Sequence, residues 1–279
     1  MKILHSHKSR LGESPIYCNQ KNTLYWVDIY GKTIQLWNDQ TFNQIKTDLR
    51  PTSIGLTTNP DILFTTLENN VGYLDLRTHK MEYFYKEMPL LNSGYRLNDG
   101  KVYPNGHSYF VGSMNENGEK SKGQLYDINK DQSFVLRNTG TEITNGICWD
   151  KKHNLFYANS TEKKIYRVDG EGMVDEMDWL IKGEPDGSCV DCNNVMYNAE
   201  YGAHQISLYN LDDLTRMGSI KLDCERPTCP TWGGVDKNIL FCTSAQDDGG
   251  NGGEVYYQKM DDVEGELTYR FVMPFRFGG

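Results

Sequence analysis

Six similar segments repeat along this 279-residue chain, and they predict an all-β fold: a six-bladed β-propeller. Two observations carry the expectation. Glycines at 12, 55, 100, 146, 187 and 233 open the segments at intervals of 41 to 46 residues, the length of a four-stranded blade. Short alternating apolar runs follow them, whereas apolar residues at i, i+3, i+4 and i+7 are nearly absent.

The blades are read in order. The first starts at Gly12-Glu13 and continues with "TLYWVDI"; the second starts at Ile54-Gly55 and continues with "ILFTTL". Asp99-Gly100 with "SYFVGSM" opens the third, and Asn145-Gly146 with "LFYANS" and "KKIYRVD" the fourth. The fifth has Asp186-Gly187, "VMYNAE" and "HQISLYN"; the sixth has Trp232-Gly233 and "ILFCTS". "GELTYRFVMPFRF" reads as closing strands, and an N-terminal strand is expected to complete the last blade. Six copies from end to end predict one domain over 1–279, with no linker.

Composition narrows the partners. A net charge of −9 with no basic run argues against nucleic acid or an anionic membrane surface. No apolar run approaches the length of a spanning helix, and "MKILHSHKSRLGESP" has no long apolar stretch of the secretory kind. Cys148, Cys189 and Cys242 lie in strand-like runs, as small buried hydrophobes do. Cys189 to Cys192 has no second pair at zinc-site spacing. A reducing, cytoplasmic setting and a monomer or weak oligomer are expected.

Aligned on the apolar positions that follow, the repeats stack Glu13, Asp99, Asn145 and Asp186 in one column. Ile54 stands there in blade two and the Trp-Gly-Gly of 232–234 in blade six. One column of a propeller occupies one level around the central channel, so these side chains are expected to converge at one mouth of it. Taken singly, each Asp-Gly or Asn-Gly reads as a turn. Several oxygen-bearing residues in one column, one of them a Glu with no turn preference, point instead to a hard divalent cation: Ca²⁺, Mg²⁺ or Mn²⁺. Without a cation, one clustered carboxylate would take up a proton.

Four motifs carry a family resemblance: "LGESPIY" at 11–17, "RLNDGKVYPNGHSYFVGSM" at 96–114, "TNGICWDKKHNLFYANS" at 144–160 and "PDGSCVD" at 185–191. In order and spacing the chain resembles the gluconolactonase, regucalcin (senescence marker protein) and luciferin-regenerating enzyme family over nearly its whole length. The resemblance implies one divalent metal, Ca, Zn, Mn or Mg, held by Glu13, Asn145 and Asp186. It implies substrate contacts from Arg96, Asn98 and Asp99, the place of Asn98 near the metal resting on the resemblance alone. The implied activity is hydrolysis of a small sugar lactone, such as glucono-lactone, to the aldonic acid. The chain departs from the family pattern at Tyr17, at Tyr103 to His107, at Ser113 and at Asn117, beside Glu116 and Glu119. The loop after Met114, "NENGEKSKGQ", is read as the lid over the substrate.

Lactone opening needs a polarised carbonyl, an activated water and groups that orient hydroxyls. Asp186 is the first candidate for the general base and Asp99 the second. Arg96 offers a planar fork of donors to the ring hydroxyls. No G-x-S-x-G is present, and the six histidines show no H-E-x-x-H spacing. His153 reads as a solvated turn residue, His204 as a strand start near the channel end, and "YFY" at 83–85 as inter-blade packing. Two other readings stay open: a non-catalytic calcium-binding propeller, and hydrolysis of another ester or of an organophosphate.

Overall fold

The computed structural model describes residues 1–38, 41–117 and 123–274. Among them all regular structure is strand, arranged as six mostly antiparallel sheets of four or five strands. Among the described residues no helix is long and apolar enough to cross a membrane. Each sheet begins with an inner strand: Gly12–Cys18, Pro51–Thr57, Tyr95–Val102, Thr144–Trp149, Glu184–Val190 and Pro227–Gly233. These six pack side by side in a closed ring around the channel, and each blade then steps outward through tight hairpins. In blade four the hairpin turn falls between Thr144–Trp149 and Leu155–Asn159, where Asp150 accepts the Lys152 and Asn154 N–H groups. Asn145-Gly146 is therefore inside a strand, and its job is not a turn.

Every inner strand is interrupted near its start by a shift of register. The shifts lie between Glu13 and Ile16, Pro51 and Ser53, Leu97 and Gly100, Asn145 and Cys148, Pro185 and Ser188, and Pro227 and Pro230. Such bulges free residues from the ladder and re-aim their side chains. They correct the column in two blades. In blade two the irregularity spans Pro51–Ser53, upstream of Ile54. In blade six it encloses Thr228 and Cys229, while Trp232 lies farther along the strand. The column slipped here because these shifts end before Gly55 and Gly233, whereas Gly146 lies inside the shift of blade four.

The core lies between blades. Phe64, Tyr73, Tyr109, Tyr126 and Phe271 form one fully buried cluster, and Phe84 of "YFY" packs on Phe64 and Tyr73. Each such aromatic ring contributes about 2–3 kcal/mol through burial. The N-terminal strand Lys2–Ile3 pairs with Tyr256–Tyr257 and completes blade six, as expected. The C-terminal strand is short and joins a different blade: Arg270–Phe271 runs parallel to Leu56–Thr57, inside blade two. To reach it, residues 264–269 cross the channel end. Cys192 donates its N–H to Glu264 O (2.9 Å), Gly265 to Lys237 O (2.8 Å) and Val272 to Gly106 O (2.7 Å). A Cβ on Gly265 would meet the Trp232 ring at 2.1 Å, so only glycine lets the segment pass this closely.

Candidate functional site

At the other end the channel is open. A cavity of 470 Å³ is lined there by Glu13, Arg96, Asn98, Asn145, Ser160 and Asp186, with Tyr30, Tyr201, Arg10 and Arg226 on its rim. Glu13, Asn145 and Asp186 come from blades one, four and five and meet only because the ring closes. Gly146 makes the approach possible: its φ is +64°, and a Cβ there would lie 2.8 Å from Asp186 O.

The two carboxylates are buried, and Glu13 is near enough for its charge to act on Asp186. Burial pushes Glu13 up to about 8, the Asp99 charge adds to the rise, and the Ser14 N–H at 3.1 Å opposes it. Asp186 is pushed well above the usual carboxylate range by burial and then by Glu13 and Asp99. Its Oδ1 is buried with no hydrogen-bond partner among the described residues. A buried acceptor without a donor is costly unless a cation or proton sits against it.

Asn145 is fixed at both ends of its amide. Its Nδ2 donates to Ser160 Oγ (3.0 Å), which donates to Pro185 O (2.7 Å). Its Oδ1 accepts from Asn98 Nδ2 (2.5 Å), which also reaches Thr144 O (3.2 Å). Asn98 Oδ1 in turn accepts from Arg96 Nη1 (2.7 Å). Glu116 anchors the chain from outside: it lies 3.4 Å from Arg96 Nε and takes a two-pronged bond from Arg50 at 2.6 and 2.8 Å. Second partners of this kind set the orientation of a metal ligand.

Asp99 is placed differently from its neighbours. It lines a separate, smaller cavity of 60 Å³ inside the channel, beneath the mouth. Its Oδ2 accepts the Ile147 N–H (3.2 Å), and Gly100 and Gly146 also donate to the carboxylate. Burial raises its pKa, and Lys101 opposes that rise. Thus Asn98 opens to the mouth and Asp99 to the interior. His204 sits in an exposed hairpin turn with φ +56° and does not line the mouth. His153 also occupies a turn, with φ +64°. Half of the loop read as a lid, 118–122 of 115–124, lies outside the described residues.

Ser160, Tyr30, Tyr201, Arg10 and Arg226 escaped the sequence reading. Their signal is two further columns. Tyr30, Met114, Ser160, Tyr201 and Ala245 stand at or just beyond the end of the second strand of their blades; Arg10 and Arg226 come just before an inner strand.

A β-propeller with a buried oxygen-donor cluster at one channel mouth is the class these features define. The chain belongs to the SMP-30/gluconolactonase/LRE-like family, whose model matches residues 11–246. It is 28% identical to regucalcin of Gallus gallus over 264 residues, covering 88% of this chain and 87% of that one. It is 28% identical to the L-arabinolactonase of Azospirillum brasilense over 263 residues, covering 88% and 84%. The calcium-binding protein regucalcin of Agrobacterium tumefaciens shares the fold, with a TM-score of 0.88 at 19% identity over 97% and 96% of the two chains.

Proposed function

We propose that this protein is a divalent-cation-dependent lactonase that hydrolyses a small sugar lactone to its aldonic acid at the open mouth. The unpartnered Oδ1 of Asp186, buried beside Glu13 and the fixed amide of Asn145, carries the reading. Among the described residues no three His, Cys, Asp or Glu side chains form a metal cluster. The donor set fits one cation nonetheless: two carboxylates and an amide oxygen are hard ligands, and water completes such sites. Glu13, Asn145 and Asp186 would hold it; when bound, it supplies Lewis acidity toward the lactone carbonyl.

The chain's own residues do the rest. Asp186 has an oxygen free of hydrogen bonds to take the proton of the attacking water, and it faces the cavity. Asp99, the second candidate, opens to the inner cavity, so the base is assigned to Asp186. Arg96 lines the cavity and would meet ring hydroxyls with the guanidinium N–H groups not given to Leu97, Asn98 and Glu116. Asn98 spends both its N–H groups on Thr144 and Asn145, and its Oδ1, which already accepts from Arg96, has a second lone pair for a substrate hydroxyl. The L-arabinolactonase among the relatives supports this reading. Seven unpaired cysteines, six of them buried, support the reducing, cytoplasmic setting.

The names of the regucalcin relatives favour a second reading, a cation-binding propeller without catalysis. Proton release from glucono- and arabinono-lactone, measured with and without chelator, separates the two. Chelator-sensitive hydrolysis of either lactone is expected. Tight cation binding with no hydrolysis across an aldonolactone panel would leave only the binding reading.

A further inference from the structure

Three arginines precede inner strands at corresponding places: Arg10, Arg50 and Arg226. Their surroundings differ sharply. Arg50 is neutralised by Glu68 and Glu116, at 2.6 Å or closer. Arg10 forms no ion pair among the described residues, and Arg226 has one, to Asp248 at 3.2 Å. The Asp248 side chain is 96% exposed, so that pair is screened and readily exchanged.

Arg10 and Arg226 both line the mouth cavity, on the side where blades one and six meet. The backbone of Gln246 ties them together. Its N–H donates to Arg10 O (3.2 Å), and its carbonyl accepts from Arg226 Nη1 (3.1 Å). Each guanidinium also lies over a rim tyrosine, Arg10 over Tyr30 at 5.8 Å and Arg226 over Tyr201 at 5.5 Å. Stacking of this kind holds a guanidinium flat and leaves its edge donors for a planar or tetrahedral anion. Of the acids on the same rim, Asp247 accepts the Gly249 and Asn251 N–H groups and feels the Arg226 charge without forming an ion pair with it among the described residues. Glu184, at the start of blade five, is the cross-strand partner of Tyr201 and forms no ion pair with Arg226 among the described residues.

We propose that Arg10 and Arg226 form an anion subsite, and that the preferred lactone carries a second, negatively charged group, a carboxylate or a phosphate, away from the ring carbonyl. This deepens the lactonase reading and rests on it for the word lactone, though not for the anion. Arg96 is too deeply buried and too engaged with Asn98 and Glu116 to serve the same end.

The test compares kcat/KM for glucono-1,5-lactone with that for its 6-phosphate and for glucaro-1,4-lactone, which carries a free carboxylate. It is run on the full chain, on Arg10→Gln and on Arg226→Gln. Binding of 6-phosphogluconate, glucarate and gluconate is followed in parallel by calorimetry. At low ionic strength one anionic lactone should exceed the neutral one by about tenfold or more, since charge-assisted bonds are the strong ones. Each Gln variant should cut that ratio severalfold, mainly through KM, and Arg226→Lys should retain part of it. Added salt should narrow the ratio. Equal rates for charged and neutral lactones, or a ratio untouched in both Gln variants, would overturn the subsite and leave the lactonase standing. Arginine-dependent anion binding with no hydrolysis of any lactone would do the reverse. Which arm responds, phosphate or carboxylate, names the group.

Discussion

The two ends of the channel are built from the same six strands and have opposite characters. The open end gathers Glu13, Asn145 and Asp186 around a cavity of 470 Å³. The far end holds 60 Å³, room for about two waters. It is lined by Cys148, Cys189 and Cys229 with Trp149 and Trp232, and the C-terminal segment around Leu267 closes it. Its one ammonium, on Lys101, is spent on Ser188 O and held beside Asp99. Burial pushes the Cys148 thiol up to about 12, so these sulfurs stay protonated and behave as apolar packing. The contrast shows how one repeat yields a site and a plug. The bulges of blades one, three, four and five bring Glu13, Asn98, Asn145 and Asp186 to the mouth, and the pairing after them lines the inner cavity mainly with apolar side chains. Among the described residues, the mouth is thus the open approach to the channel.

The comparison can be broken most forcefully through pH. A carboxyl raised from 4.5 to about 8 in the fold keeps its proton while the unfolded chain has already lost it. Stability of the cation-free protein should thus fall as pH rises between those values, by up to about 5 kcal/mol. Urea unfolding of chelator-treated protein at pH 5 and pH 8 would show the drop, and Glu13→Gln or added cation should flatten it. Identical midpoints at both pH values would mean that the mouth carries no such strain.

The closed end should respond to truncation in stability alone. Phe271 is fully buried against Phe64 and Tyr73, so Phe271→Ala should cost about 3–5 kcal/mol. Its kcat/KM at a temperature where it remains folded should stay near that of the parent; a large loss would tie the plug to the chemistry. At the mouth, Gly146→Ala should cost a smaller ~1–3 kcal/mol through its left-handed φ and its closeness to Asp186 O. Here hydrolysis should fall along with stability, because Asn145 and Asp186 move apart. Smallest in stability is Ser160→Ala, which frees the Asn145 amide: cation affinity should weaken roughly tenfold. Calorimetric titration giving an unchanged affinity would show that Asn98 alone fixes the amide.

The same contrast explains what was legible in the sequence. Blade number came from glycine spacing, since each blade needs the same length of chain. Glu13, Asn145 and Asp186 were found because each lies at or inside a bulge at a blade start. Asp99 was stacked with them because the alignment followed the apolar positions after it, whereas the register shift of its strand comes earlier, between Leu97 and Gly100, and Asn98 is the neighbour that reaches the mouth. A one-residue shift in an extended chain turns a side chain to the opposite side. Ser160 and the rim arginines belong to columns set by strand ends, where sequence spacing varies most. The C-terminal strand pairs through only two residues, too few for alternation to say which blade receives it.

The central claim is that the mouth column is both cation site and catalytic site. Its most direct test is cation-stimulated hydrolysis of glucono-1,5-lactone by Asp186→Ala beside the parent protein, after chelator treatment and add-back. The account predicts that the parent regains activity with cation and that Asp186→Ala loses about a hundredfold or more. Full cation-stimulated activity in Asp186→Ala would contradict it.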